Sequence, residues 1–189
     1  MNNQNVILAS GSPVRRRLLA NAGLRFYVQK SHVKEVQKPG EDALVMGMRF
    51  AREKALSIEA PPDDLVIGVD QVGLSGTQVL RKCHSKAAAM RQLQSMSGRE
   101  HRFHCFCAIA KNRAVIEEFS TKATIRFREI SDAEISTYLS LNEWVGSAGS
   151  YQLEGYGARF VQNIEGNEST VLGLPLFPLL VRLRKLKIL

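Results

Sequence analysis

Five mostly apolar residues, Leu65-Val66-Ile67-Gly68-Val69, run directly into a carboxylate, Asp70. A run of that length and composition reads as a strand buried on both faces, which demands a sheet with covering layers on either side. A carboxylate delivered by such a strand is costly to desolvate unless it is paired or holds a cation, and ligand crevices in open α/β sheets form at the carboxyl ends of strands. Asp70 is therefore either a functional group at a strand end or a solvated strand terminus.

The flanking sequence alternates in the same sense. Val6-Ile7-Leu8-Ala9 is a second buried-type strand, and Ser12-Pro13 after it opens a helix with an N-cap hydroxyl and a proline at the first helical position. That helix runs through Leu18 and Leu19 to Gly23, and a strand follows around Phe26 to Val28. From Glu41 to Ile58, apolar residues at threes and fours (Leu44, Val45, Met48, Ala51, Ala55, Ile58) predict an amphipathic helix carrying Lys54. Gly76 sits in a predicted hairpin whose second arm, Val79-Leu80, leads to Lys82. Ser85 caps a helix to Met96, Arg102 to Ala110 and Ala114 to Phe127 are long strands, and Ser131 with Glu134 forms a capping box for a helix through Leu141. An apolar segment from Leu174 to Leu189 ends the chain, its Arg182, Arg184, Lys185 and Lys187 suited to a helix C-terminus.

At 189 residues this is one domain, 1–189, with room for a single core or two small lobes. The balance of 44% hydrophobic to 23% charged residues excludes a disordered chain, and no apolar run reaches membrane-spanning length. Three cysteines without framework spacing fit a reducing cytoplasm. The net charge of +8 points to anionic partners, which nucleic acid and phosphorylated small molecules satisfy equally.

Five groups of residues are chemically suggestive. Ser10-Gly11-Ser12, between strand and helix N-terminus, is a phosphate cradle or an ordinary capped turn. Glu35, Lys54, Asp70 and Lys82 supply the carboxylates and ammonium groups that phosphoryl chemistry needs for a divalent ion and for neutralising phosphate oxygens. Gly149 to Gly157 combines glycines with Tyr151, Tyr156 and Glu154, and suits either a wall for a base, with a tyrosine stacking on it, or a turn between strands. His101, His104, Cys105 and Cys107 raise a zinc reading, but the period of two at the cysteines is better suited to an apolar strand. The basic tail, Arg182 to Lys187, is a nucleic-acid contact or a solvated helix face.

In order along the chain, Leu8-Ala9-Ser10-Gly11-Ser12-Pro13 with Arg15, Ala51 to Ala55, Gly68-Val69-Asp70, Lys82, Ser97-Gly98-Arg99 with His101, Ala148-Gly149-Ser150-Tyr151 and Gly173-Leu174-Pro175-Leu176 resemble the signature segments of the Maf family of nucleotide pyrophosphatases. The resemblance implies an α/β fold with a central mixed, elongated and twisted sheet flanked by helices, two lobes with a cleft between them, and commonly a homodimer. It implies hydrolysis of the α–β phosphate bond of a nucleotide, without stable nucleic-acid binding. By the same resemblance Asp70 is the general base, Glu35 and Asp70 hold Mg²⁺ or Mn²⁺, and Ser10, Ser12, Arg15, Lys54 and Lys82 bind the triphosphate.

Val14, Gln71 and Glu154 fall where members of the family differ in substrate, and Gln71 and Glu154 resemble the 7-methyl-GTP branch. Guanine's pairing edge offers two adjacent donors that one carboxylate accepts together, whereas uracil or thymine offers one donor between acceptors. Three departures stand out: Lys34 beside Glu35 where an acidic residue is usual, Cys83 for the proline after Lys82, and Cys105-Phe106 for threonine-glycine. The competing expectations are a dTTP/UTP or inosine-triphosphatase-like pyrophosphatase and a non-catalytic nucleic-acid-binding module.

Overall fold

Val6-Ile7-Leu8 forms β1 (Val6–Leu8), apolar on both faces because strands flank it on both edges and layers cover it. It pairs in parallel with β2 (Tyr27–Val28) and with β3 (Leu65–Ser75). A short β4 (Gln78–Leu80) runs antiparallel to β3. The remaining strands are β5 (Glu100–Lys111), β6 (Ala114–Phe127) and β7 (Val161–Glu165), the last antiparallel to β6. The computed structural model describes residues 5–189 and joins these strands in a mixed seven-stranded sheet, in the order β2-β1-β3-β5-β6-β7 with β4 beside β3. Asn112 and Arg113 join β5 to β6 with φ of 48° and 58°, the two positive values that a tight primed turn requires.

Local signals set the helix boundaries. In α1 (Pro13–Asn21) the Ser12 hydroxyl accepts from the Arg15 amide, and Gly23 ends the helix at φ 76°. Asp42 caps α2 (Ala43–Leu56), Ser85 caps α3 (Lys86–Met96), and the Ser131/Glu134 box opens α4 (Asp132–Ser140). A four-residue α5 (Glu168–Val171) and α6 (Leu176–Lys185) follow.

Two compact units emerge, the first from the chain through Gln71 with His104–Thr121 and Leu172–Leu189, the second from Val72–Phe103 and Lys122–Val171. Leu8, Leu19, Leu65, Ile67, Cys107 and Leu179 are central to the first unit's core. The second is built on Leu93, Met96, Phe127, Ile135, Tyr138 and Phe160.

One expectation needs correction, and one stretch holds elements that the sequence pattern leaves unassigned. Asp70 is not at a strand end, because β3 continues to Ser75 to pair Gly73, Leu74 and Ser75 with β4. Residues 156–171 hold a 3₁₀ turn (Tyr156–Phe160), β7 and α5, none of which the hydrophobic pattern announces. β7 is a terminal strand of the sheet with no fully buried position, so it lacks the apolar alternation that marks an inner strand.

Candidate active site

A side chain cannot be fitted at Gly68. An ideal Cβ there would lie 2.1 Å from the Ala51 carbonyl oxygen and 2.5 Å from the Ala55 amide nitrogen, so only glycine lets the backbone of α2 rest on β3. Asp70 is two residues further along the strand, on the same face as Gly68, and Lys54 is on the buried stripe of α2. The Lys54 ammonium consequently donates to Asp70 Oδ1 at 2.6 Å, with Lys54 only 8% and Asp70 only 7% exposed. Glu35, exposed on the segment after β2, places Oε1 2.6 Å from the same Nζ. One ammonium is shared by two carboxylates.

Arg15 ties the Ser10-Gly11-Ser12 loop to this pair. Its Nη1 donates to Ser10 Oγ and to the Val69 carbonyl, both at 3.1 Å, and its Nε donates to the Gly173 carbonyl at 2.6 Å. Three of the five guanidinium N–H groups are thus spent on the protein, and Nη2 retains the others. Gly173, at φ 87°, also lies against Gln71, whose Oε1 would be 3.4 Å from a Cβ placed there. The aliphatic stem of Lys30 covers Gly11, with Cδ 3.3 Å from the position of a Cβ. Val14 is half-buried on α1. Of the expected site residues, Ser10, Ser12, Val14, Arg15, Glu35, Lys54, Asp70 and Gln71 all belong to the first unit.

Burial pushes the Asp70 carboxyl above the usual carboxylate range; the Lys54 ammonium pulls it back, Glu35 reinforces the rise and Arg15 opposes it. The result is a stronger proton acceptor than a solvated aspartate. Two carboxylates meeting at one point fit a magnesium-like ion that arrives with substrate phosphates, since such ions take one or two carboxylates and complete their shell with phosphate and water oxygens. They do not fit a resident all-protein cage, and no group of three or more metal-ligating side chains occurs among the described residues.

Lys82 and Glu154 belong to the second unit. Lys82 is exposed and bridges to Ala148 in antiparallel fashion; Glu154 is exposed in the turn before the 3₁₀ segment. Between them Ser150 is fully buried at φ 59°, and Tyr138 Oη accepts from the Gln152 amide at 3.1 Å. Tyr151 is not available to stack on a base: it packs against Phe127 with ring centroids 4.9 Å apart and hydrogen-bonds His101 Nε2 at 2.9 Å. Tyr156 is likewise engaged, with Arg159 over its ring at 4.5 Å. Burial lowers His101 to about 4, so it is neutral near pH 7.

The other suggestive groups resolve as structure. Cys105 and Cys107 are buried, and burial pushes the Cys105 thiol up to about 12, which leaves an inert core thiol. Arg182 pairs with Glu117 at 3.2 Å and covers Phe119 at 3.9 Å, so part of the basic tail is committed within the first unit. A cavity of about 190 Å³ in the second unit is lined by Arg128, Glu134, Tyr156, Arg159 and Phe160. Its Arg128 already donates to Arg159 O, Glu129 O and Glu134, making it an internal clasp.

Sequence reasoning missed the roles of Gly68, Gly173 and Lys30. Gly68 was readable in principle, as a glycine inside a strand that marks a close backbone approach. The other two depend on residues remote in sequence.

The Maf-like protein family matches residues 5–186. A dTTP/UTP pyrophosphatase of Koribacter versatilis is 38% identical over 173 residues, covering 90% of this chain and 89% of that protein. A 7-methyl-GTP pyrophosphatase of Rhizobium johnstonii is 38% identical over 190 residues, covering 96% of each. A nucleoside triphosphate pyrophosphatase of Bradyrhizobium diazoefficiens is 38% identical over 186 residues, covering 95% of this chain and 92% of that one.

Proposed function

This chain belongs to the Maf family, and on that premise we propose that it hydrolyses nucleoside triphosphates between the α- and β-phosphates, acting on 7-methyl-GTP or a related modified nucleotide. The observation that carries the reading is Asp70, a buried carboxylate with raised proton affinity beside Lys54 and Arg15. Asp70 accepts a proton from water as the water oxygen bonds to the α-phosphorus. The bond from that phosphorus to the bridging oxygen breaks, pyrophosphate leaves with the electron pair, and a nucleoside monophosphate remains.

Lys54, held between Asp70 and Glu35, offers its charge to the phosphate oxygens. Ser10, Ser12 and the amides at the start of α1 cradle the triphosphate, with Arg15 Nη2 and Lys82 as further cation donors. Positioning and charge neutralisation supply most of the acceleration. Asp70 and Glu35 are the residues that would hold Mg²⁺ or Mn²⁺, which contributes Lewis-acid neutralisation of the phosphate charge when bound.

Glu154 supports the choice of base. Its carboxylate suits the two adjacent donors of guanine, and a cationic 7-methylated ring adds attraction. The test is pyrophosphate release from 7-methyl-GTP, dTTP, UTP, ITP and GTP with and without divalent ion. Release only with the ion, and fastest from 7-methyl-GTP, is the expected result; a preference for dTTP and UTP overturns the base assignment and leaves the reaction standing. Glu154→Gln should lower kcat/KM for 7-methyl-GTP relative to dTTP by about tenfold, the worth of one charge-assisted hydrogen bond.

A further inference from the structure

Gln92 is on α3, in no motif of the site, yet its Nε2 donates to two segments at once: the Arg81 carbonyl at 3.0 Å and Ser150 Oγ at 2.8 Å. The first acceptor immediately precedes Lys82, and the second lies four residues before Glu154. Lys82 and Ala148 form a single isolated bridge. This bridge is too short to fix both segments alone, since one pair of strand residues leaves each chain free to pivot about it. Ser150 needs such a restraint more than most residues, because it is a fully buried non-glycine at φ 59°, a conformation that persists only where its surroundings impose it.

We propose that Gln92 is a positioning residue for substrate selection, locking the Lys82 segment to the Ser150–Glu154 turn so that phosphate contact and base recognition are set together. The turn has other anchors. Gln152 N donates to Tyr138 Oη at 3.1 Å, and Tyr156 N donates to Glu143 Oε2 at 2.8 Å. These fix the turn to α4 and the loop after it. Gln92 fixes it to the segment that carries Lys82. A single carboxamide does this because its two N–H groups diverge from one nitrogen and satisfy two acceptors without a charge. Leucine fills similar space and supplies neither donor.

The inference rests on the reading that Lys82 and Glu154 contact substrate, so the experiment measures positioning and selection separately. Amide exchange of residues 148–154 in Gln92→Leu, compared with wild type, reads positioning without any substrate. Protection should fall by about fivefold, the equilibrium equivalent of one net hydrogen bond. In steady-state assays Gln92→Leu should raise KM more than it lowers kcat and compress the 7-methyl-GTP to dTTP ratio, whereas general destabilisation would lower all substrates alike. Ser150→Ala should reproduce the compression, and the double variant should add nothing to it, as expected for two residues acting through one contact. Unchanged exchange in folded Gln92→Leu overturns the proposal, as does an equal loss on every nucleotide. If the wild-type chain releases pyrophosphate from none of them, the functional reading fails while the exchange comparison still decides whether Gln92 holds the turn.

Discussion

The two units bury polarity in opposite ways. The first buries charge: Lys54 and Asp70 are both largely enclosed, with Arg15 and Ser10 beside them. The second buries neutral hydrogen bonds, between His101 and Tyr151, between Gln152 and Tyr138, and between Gln92 and Ser150. Buried ion pairs are poor contributors to stability because desolvation offsets their attraction, whereas satisfied neutral bonds fix geometry at lower cost. Under the proposed function the charges of the first unit serve reactivity, and the neutral network of the second serves shape.

Asp70→Asn is the largest test of that division. It should reduce pyrophosphate release by about a thousandfold, the scale of a lost general base with its electrostatic role. It should do so without loss of fold. The folded pKa of Asp70 is raised, so its contribution to stability is full below the ordinary carboxylate range and is lost as pH rises through the raised value. At neutral pH asparagine removes the desolvation cost of the carboxylate, while Glu35 remains as a partner for the Lys54 ammonium. A thermal midpoint well below wild type would break the comparison, by making the ion pair a structural necessity. In the metal-free protein the Asp70 carboxyl should titrate above a solvated aspartate, which an NMR titration of its carboxyl carbon reads; a value in the ordinary range would contradict its burial.

The second test compares glycines. Gly68→Ala drives a methyl into the backbone of α2, 2.1 Å from the Ala51 carbonyl oxygen and 2.5 Å from the Ala55 amide nitrogen, backbone atoms that no rotamer change moves aside. Gly73→Ala in the second unit meets the Phe103 ring at 2.8 Å and Leu80 Cβ at 3.1 Å, side-chain atoms that can shift slightly where backbone cannot. Gly68→Ala should cost at least about 3 kcal/mol and take activity with it, because the same contact carries Lys54 to Asp70; Gly73→Ala should cost about 1 kcal/mol. Chemical denaturation of the two variants ranks them. Equal costs would mean that α2 is free to slide on β3, and the Lys54–Asp70 geometry would then need another cause.

Much of this was legible in the sequence because it is local. The strand–turn–helix around Ser10 to Arg15, the periodic α2, the capped α3 and α4, and the strand leading to Asp70 all follow from periodicity, caps and glycine positions within a few residues. Asp70 stands out because a carboxylate in an apolar run is locally anomalous, whereas Lys54 stands out only among the charged residues suited to phosphoryl chemistry and through the family resemblance. The location of Asp70 within β3 was not legible, since the continuation to Ser75 depends on pairing with β4. Tyr151 misled for a similar reason: an aromatic residue among glycines reads as exposed, and only the fold brings Phe127 and His101 around it. Gln92 carried no signal at all, because a glutamine on a helix is ordinary until its two acceptors arrive from other segments.

The smallest test examines the neutral network directly. His101 is enclosed by Phe103, Phe127 and Tyr151, and burial alone depresses it from its ordinary value of 6.5 to about 4. For a histidine with a depressed folded pKa, the neutral form is the one the fold accommodates. Its contribution is complete above 6.5 and is lost as pH falls through about 4. Across that window His101 accounts for at most about 3 kcal/mol of acid-induced destabilisation. A His101→Gln variant has no group to titrate at this position, yet its carboxamide retains a partner for the Tyr151 hydroxyl. Its unfolding free energy should therefore fall less steeply than wild type between about pH 6.5 and 4, the two values that bound the histidine's shift, and should differ little near neutral pH. Parallel curves for the two proteins would show that protonation of His101 is tolerated inside the aromatic cluster, and the second unit would then bury a charge as readily as the first.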